Sequence, residues 1–346
     1  MDDRQPQQAV QRVQHLIQLG RLQAAFDEAT RGLAASPDDP GLLILAAVSA
    51  LGLKEPVTGH RLAAAAVAVA PTSDVAHATL ARAYRQLGRH AEAAQAAYRA
   101  VCLDPADWSN HVLYSACALN LPNGREVAWQ AARRAVELAP HEPSAHAQIA
   151  EAAFPGEYGT PEELALAERA LTEALRLDPH DGAIQNDLAR VRLARSDSRS
   201  ALAGFAGAVS ADPLRVGAVA MGNVALVVSR IIVIQAAIVF GAVFVGAGLL
   251  GKSPSLAGRL VLLALVIALG GFLVVRWRGY LTGAGSRAAV KRVVLDNKRI
   301  LAGALLVVAA MLALGAGAFL SADGGTGAVG LALVLAGSAV MVVPTR

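Results

Sequence analysis

The chain has 346 residues, of which 55% are hydrophobic, 4% aromatic and 17% charged. Soluble domains average about 25% charged residues, so part of this chain is expected to lie outside water. Residues 1–215 hold 20 Lys and Arg against 25 Asp and Glu, whereas residues 216–346 hold 11 against 2. Because the basic excess lies in the apolar half, it indicates membrane topology, and we expect no nucleic-acid partner.

The N-terminal segment and the cysteines both point to a reducing compartment. The segment MDDRQPQQAV is polar and acidic and contains no apolar core, so we expect no signal peptide. The two cysteines, Cys102 and Cys117, fall in small-residue helical patterns and form no C-x-x-C motif. They are expected to be buried thiols.

Prolines recur through the first half of the chain in one sequence context. They are Pro37, Pro71, Pro105, Pro140, Pro179 and Pro213, with spacings of 34, 34, 35, 39 and 34 residues. Small residues precede each proline by five positions: Gly32, Ala66, Ala100, Ala135, Ala174 and Ala208. Twelve positions before each proline stand Ala25, Gly59, Ala93, Ala128, Ala167 and Ala201. A third position holds Val13, Ala47, Ala81, Ser115, Ala150 and Ala189. The stretch FPGEYGTP, at residues 154–161, accounts for the longer spacing by extending one turn.

This period and these small positions resemble the tetratricopeptide repeat, a helix–turn–helix unit. The resemblance covers about residues 6–213 and implies an all-α fold, with a solenoid of about six repeats over residues 1–213. It also implies a concave groove, lined by the first helix of each unit, that binds proteins or peptides. The groove candidates on those helices are Arg82, Arg85, Glu151, Asn186 and Arg190. Arginines there would pair with an acidic partner segment; the alternative is that these residues are solvated helix faces.

Two motifs look like metal or catalytic sites, and the repeat accounts for both. HEPSAH, at residues 141–146, differs from the zinc motif H-E-x-x-H because its histidines are i and i+5, which are about 140° apart on a helix. Pro143 also keeps His141 out of the helix interior. LDPHDG, at residues 177–182, is typical of a turn and helix cap. We therefore expect no metal site, no catalytic residue and no cofactor.

The second half predicts four transmembrane helices. Residues 214–230 are predicted to form a helix that covers the last repeat, and apolar spans follow at residues 231–250, 257–275, 300–320 and 328–343. Gln235 is the clearest polar residue inside a span and is expected to bond between helices. Since the spans contain no internal acid or base, a transporter or proton-driven enzyme is disfavoured.

The loops predict the orientation of these spans. Seven basic residues lie at positions 276–299, and the loop SADGGTG has neither Lys nor Arg. The basic loop is therefore expected inside, which places both termini in the cytoplasm of a multi-pass inner-membrane protein. The same basic loop could instead bind anionic lipid headgroups, an alternative that the sequence leaves open beside plain topology.

GAGLLGKS, at residues 246–253, matches the phosphate-binding pattern G-x-x-x-x-G-K-[ST]. The motif closes an apolar span and precedes Pro254, whereas a phosphate loop follows a strand and opens a helix. We therefore expect no enzyme but a membrane-anchored scaffold or adaptor for protein–protein interactions. Two alternatives remain: a subunit of a transport or secretion complex, and a nucleotide-dependent membrane enzyme that uses GAGLLGKS.

Overall fold

The computed structural model describes residues 4–154, 156, 159–250, 256–281 and 283–317. All regular elements among them are helices. The chain divides into two compact units, Met1–Pro179 and His180–Arg346. The predicted fourth span, at residues 328–343, lies outside the described residues.

The first unit consists of five helical pairs. Its helices are α1 (Arg4–Gln18), α2 (Leu22–Ala35), α3 (Pro40–Gly52), α4 (Pro56–Val69), α5 (Asp74–Gln86), α6 (His90–Leu103), α7 (Trp108–Ala118), α8 (Arg125–Leu138), α9 (Pro143–Ala153) and α10 (Pro161–Leu177). The two helices of each pair pack together, and α2, α4, α6 and α8 each also contact the first helix of the next pair. The longer turn predicted from FPGEYGTP separates α9 from α10.

The small positions of the repeat are the places where these helices meet. Of the residues twelve before each proline in this unit, Ala25, Ala93, Ala128 and Ala167 have no exposed surface, and Gly59 is buried. The first-helix position is buried as well, at Val13, Ala47, Ala81, Ser115 and Ala150. Small side chains let helix backbones approach closely, which explains their period. The predicted helical-repeat fold is therefore confirmed for this unit.

The turns of the repeat are stabilised by side-chain caps. Asp39 accepts from the backbone N–H of Leu42 at 2.8 Å, and Asp107 accepts from that of Ser109 at 2.8 Å. Asp181, in LDPHDG, accepts from the N–H groups of Ala183 and Ile184. Because a carboxylate at a helix start satisfies N–H groups that have no helical partner, these acids are caps, as expected.

The second unit joins one more helical pair to long apolar helices. Its helices are α11 (Gly182–Ala194), α12 (Ser198–Ala211), α13 (Gly217–Leu250), α14 (Leu256–Tyr280), α15 (Ala284–Asp296) and α16 (Lys298–Gly317). Leu202 and Phe205 of α12 share one hydrophobic core with Val224, Val228 and Ile300. The last pair is therefore packed against α13 rather than merely tethered to it.

The basic segment of the second unit differs from the sequence prediction. Residues 276–299 are not a loop: they hold the end of α14, all of α15 and the start of α16. The cause is a small apolar face on α15, formed by Ala289, Val290 and Val293, which is buried in the core of the unit. The many intervening charges conceal this helical pattern in the sequence.

One stretch of the described residues has the length and composition of a membrane span. It is Gly217–Val239, 23 residues long, and its most apolar 18-residue window has a mean hydropathy of 2.0 and is 44% buried. A buried core helix has the same two properties. The four predicted spans therefore stay predictions.

Candidate functional site

The first helices of the first unit form one continuous layer. Helices α1, α3, α5, α7 and α9 each contact the next in that series, besides the second helices that separate them along the chain. On an α-helix, residues at positions i, i+3 and i+7 lie on the same face. On α5 that pattern contains Val75, Ala78, Arg82 and Arg85, so the two arginines predicted as groove residues share one face of this layer.

Arg82 and Arg85 are two arginines whose side chains form no ion pair or hydrogen bond among the described residues; Arg82 is half-buried and Arg85 is exposed. Other arginines of the unit are paired, for example Arg12 with Glu28 at 2.6 Å and Arg176 with Glu173 at 2.7 Å. Exposed arginines such as Arg61 and Arg133 also have no ion pair there, so the distinguishing feature of Arg82 is its burial. The face of α5 thus carries two adjacent cations without an acidic partner.

The surroundings of Arg82 explain its electrostatics. Burial lowers the pKa of Arg82, and the neighbouring charge of Arg85 lowers it further. Asp107 acts in the opposite direction but is already engaged as the cap of α7, where it also accepts from the Ser109 hydroxyl at 2.9 Å. Cys117 is 1% exposed, and burial raises the pKa of its thiol to about 11. A neutral thiol gives Arg82 little compensation, so an incoming anion would be stabilised there.

The other predicted groove residues have different surroundings. Glu151 is exposed on α9, in the same unit as the two arginines. In the second unit Arg190 is exposed and pairs with Asp187 at 3.4 Å. Asn186 is 6% exposed, and its side-chain oxygen accepts from Asn223 of α13 at 2.9 Å. Asn186 is therefore occupied inside the second unit.

Three histidines recur at one position of the repeat, which sequence reasoning missed. The ring Nε2 atoms of His77, His111 and His146 lie 3.0, 3.0 and 2.9 Å from the carbonyl oxygens of Pro71, Pro105 and Pro140. A carbonyl only accepts, so each ring nitrogen carries the proton and donates. The signal is the spacing P-x5-H, and His146 of HEPSAH belongs to it. No group of three metal-ligating side chains occurs among the described residues.

An aromatic cavity was also not predicted. A cavity of about 480 Å³ lies between α5 and α6, lined by His77, Leu80, Tyr84, Glu92, Tyr98 and Arg99. The ring centroids of Tyr84 and His60 are 4.8 Å apart. The guanidinium of Arg89 lies 4.6 Å from the ring centroid of Tyr84. A second cavity, of about 330 Å³, adjoins Arg125 and Trp129. Neither cavity brings a nucleophile together with a base.

The described part of the nucleotide-like motif, residues 246–250, does not have the backbone that phosphate binding requires. These five residues are the last residues of α13, and residues 251–253 lie outside the described residues. A phosphate loop needs N–H groups at the start of a helix, whereas the end of a helix presents carbonyl groups. The helical part of the motif is therefore oriented against phosphate binding.

Comparison with known proteins gives matches among solved structures alone. No protein-family model and no curated protein matches this chain. PilF of Pseudomonas aeruginosa is 15% identical, with 63% of this chain and 95% of PilF covered at a TM-score of 0.48. A thermophilic TPR protein of Thermus thermophilus is 24% identical, with 61% and 94% covered at 0.36. YrrB, a TPR protein with an unusual peptide-binding site, is 16% identical, with 54% and 93% covered at 0.37. The helix pairs and buried small residues define the tetratricopeptide-type fold in this chain itself.

Proposed function

We propose that this protein is a membrane-anchored scaffold whose tetratricopeptide-type repeats bind an acidic protein segment at the cytoplasmic face of the membrane. The observation that carries the proposal is the pair of unpartnered cations, Arg82 and Arg85, on the face formed by the first helices. An acidic side chain would replace the solvation that Arg82 has lost and relieve its repulsion with Arg85. Hydrogen bonds to charged groups contribute about 1.5–3 kcal/mol each.

The same surface supports a protein segment rather than a small molecule. The first helices that contact α5 carry partly exposed apolar residues, Ile44 and Val48 on α3 and Val112 on α7. A row of apolar positions with a central pair of cations suits an extended or helical peptide that has acidic residues in its middle.

Charge reversal at the two arginines tests the proposal. A labelled peptide library of varying acidity would be titrated against the full chain and against Arg82→Glu/Arg85→Glu. We expect acidic peptides to bind the unmodified chain and to weaken on the order of a hundred-fold in the variant, with a strong dependence on salt. The matched control is Arg61→Glu/Arg133→Glu, which makes the same charge change at exposed positions of the second helices. Equal binding to both variants would remove Arg82 and Arg85 from the site.

Membrane anchoring and orientation are tested with the native cysteines. Cys102 was expected to be buried, but it is exposed on α6, in the first unit, whereas Cys117 is buried as expected. If the repeats are cytoplasmic, a membrane-impermeant maleimide should modify Cys102 after lysis but not in intact cells. Alkaline extraction of the membrane fraction should leave the chain in the pellet. Modification in intact cells would overturn the orientation, and release into the supernatant would overturn the anchoring.

A further inference from the structure

Helix α15 has two faces of opposite character. One face is buried: Ser286, Ala289, Val290 and Val293 are each at most 8% exposed and lie against α12 and α13. An ideal Cβ on Gly285 would lie 3.8 Å from the Cβ of Ala206, which shows how closely α15 and α12 approach. The apolar side of α15 is thus already occupied by protein.

The opposite face of α15 is basic and exposed. Arg287 and Lys291 are one helical turn apart, and Arg292 lies beside them. Three further cations are exposed in the parts of the chain that precede and follow α15: Arg278 near the end of α14, and Lys298 and Arg299 at the start of α16. The one acid of this segment is Asp296, which is 3.7 Å from Arg292 in a pair whose side chains are 73% and 71% exposed. We call these six cations the basic patch.

The neighbouring helices have the apolar surface that a membrane would cover. On α14 the exposed large hydrophobic residues are Ile267, Phe272, Val274 and Val275, and on α16 they are Leu305, Val308 and Leu312. The indole N–H of Trp277 donates to the side-chain oxygen of Gln235 at 2.9 Å, which fixes the end of α14 to α13. Arg278 follows Trp277 directly, and Lys298 begins α16, so the basic patch lies at the ends of these apolar helices.

We propose that the basic patch binds the phosphate headgroups of anionic membrane lipids. The proposal rests on the membrane anchoring proposed above. An amphipathic helix that inserts into a membrane uses its apolar face, but the apolar face of α15 is buried in protein. The one large hydrophobic residue of α15 that is exposed is Leu295, at 58%. Binding is therefore expected to be mainly electrostatic, between the fixed cations and lipid phosphates, with about a five-fold gain in affinity for each Lys or Arg near the surface.

Lysine acylation in nanodiscs tests this proposal with the full chain. The chain would be reconstituted in phosphatidylcholine alone and in phosphatidylcholine with phosphatidylglycerol, and treated with an amine-acylating reagent. We expect acylation of Lys291 and Lys298 to slow several-fold in the anionic nanodiscs, whereas Lys54, exposed between α3 and α4, reacts equally in both. Inorganic phosphate added to the neutral nanodiscs should give no protection, which separates a lipid headgroup from free phosphate.

An arginine variant separates specific binding from the general potential of an anionic surface. In Arg287→Gln/Arg292→Gln/Arg299→Gln the remaining cations should bind headgroups on the order of a hundred-fold more weakly, so protection of Lys291 should disappear. The matched control, Arg61→Gln/Arg99→Gln/Arg133→Gln, should keep it. Protection that persists in the first variant, or equal acylation in the two lipids, would overturn headgroup binding. A chain that fails to insert into either nanodisc would overturn the membrane anchoring as well.

Discussion

The turn between the two helices of a helical pair has a residue with a left-handed backbone conformation at one recurring position. Gly20 and Gly88 have φ angles of 70° and 72°, and the corresponding Lys54, Asn123 and Ser196 have 66°, 60° and 65°. A side chain in this conformation costs roughly 1–2 kcal/mol, and glycine avoids that cost. The repeat therefore fixes the backbone of this turn even where the residue type is unfavourable.

Lys54→Gly should consequently stabilise the first unit by about 1 kcal/mol. The measurement is the urea midpoint of Trp108 and Trp129 fluorescence, in a Trp277→Phe background. Glu55→Gly is the control, because Glu55 has a φ of −106° and makes no side-chain cap bond. An increase in stability for the Glu55 variant alone would show that the turn is not strained at Lys54.

The two cysteines should differ strongly in reactivity at pH 8. Burial raises the pKa of Cys117 to about 11, whereas Cys102 is exposed. At pH 8, iodoacetamide should modify Cys102 and leave Cys117 protonated and unmodified, as mass spectrometry would show. The unfolded thiol loses its proton near pH 8.5, whereas the folded thiol of Cys117 keeps it until about pH 11. The free energy of unfolding therefore falls as pH rises from about 8.5 to about 11. Equal modification at pH 8 would contradict the burial of Cys117.

At the scale of elements, Arg125 links three helices. Its guanidinium donates to the carbonyl oxygens of Ala152 and Ala153, at the end of α9, and pairs with Glu163 of α10 at 2.8 Å. Glu163 in turn accepts from the backbone N–H of Thr160 at 2.9 Å. These bonds connect the end of α9 to the start of α10, where the repeat period is interrupted.

Arg125→Gln should lower the stability of α9 and α10 by about 1 kcal/mol, since the half-exposed guanidinium is partly screened by water. Amide hydrogen exchange in α9 and α10 would measure this loss of stability. The control is Arg133→Gln, which changes an exposed arginine on α8, the helix that also carries Arg125. The Thr160 bond and then Arg125 hold the pKa of Glu163 below its ordinary value. Only the ion pair between Arg125 and Glu163 is therefore lost as pH falls through that lowered value, whereas the bonds of Arg125 to the two carbonyl oxygens remain. Unchanged exchange in the Arg125 variant would exclude the link.

Sequence analysis predicted these elements where the repeat is regular. The buried alanines at fixed offsets and the capping acids follow from steric and hydrogen-bonding needs that are local to each unit. The interhelical bond of Gln235 was also predicted and is confirmed. Helix α15 and the bond between Asn186 and Asn223 were missed because each depends on helices that are distant in sequence. Whether the five groove residues contact one partner stays a prediction.

At the scale of the whole molecule, the two units separate at Pro179, whereas the repeat pattern continues to Pro213. The sixth helical pair, α11 and α12, shares one hydrophobic core with the apolar helices of the second unit. Leu202 and Phe205 are fully buried there together with Val224 and Val227 of α13, and Ala206 is 4% exposed. The sequence period alone gives no information about this, because the same small positions serve contacts with a repeat or with a different helix.

Two fragments should therefore behave differently, although both end at a repeat proline. A fragment of residues 1–179 retains the complete first unit and should be monomeric and bind little of a hydrophobic dye. A fragment of residues 1–213 adds α11 and α12 without α13 and α15, so the face that contains Leu202 becomes exposed to water. We expect the longer fragment to bind more dye and to self-associate in light scattering, and Leu202→Gln within it to reduce both effects. If the longer fragment were instead monomeric and free of dye, the sixth pair would belong with the repeats, and the boundary that matters for folding would lie after residue 213.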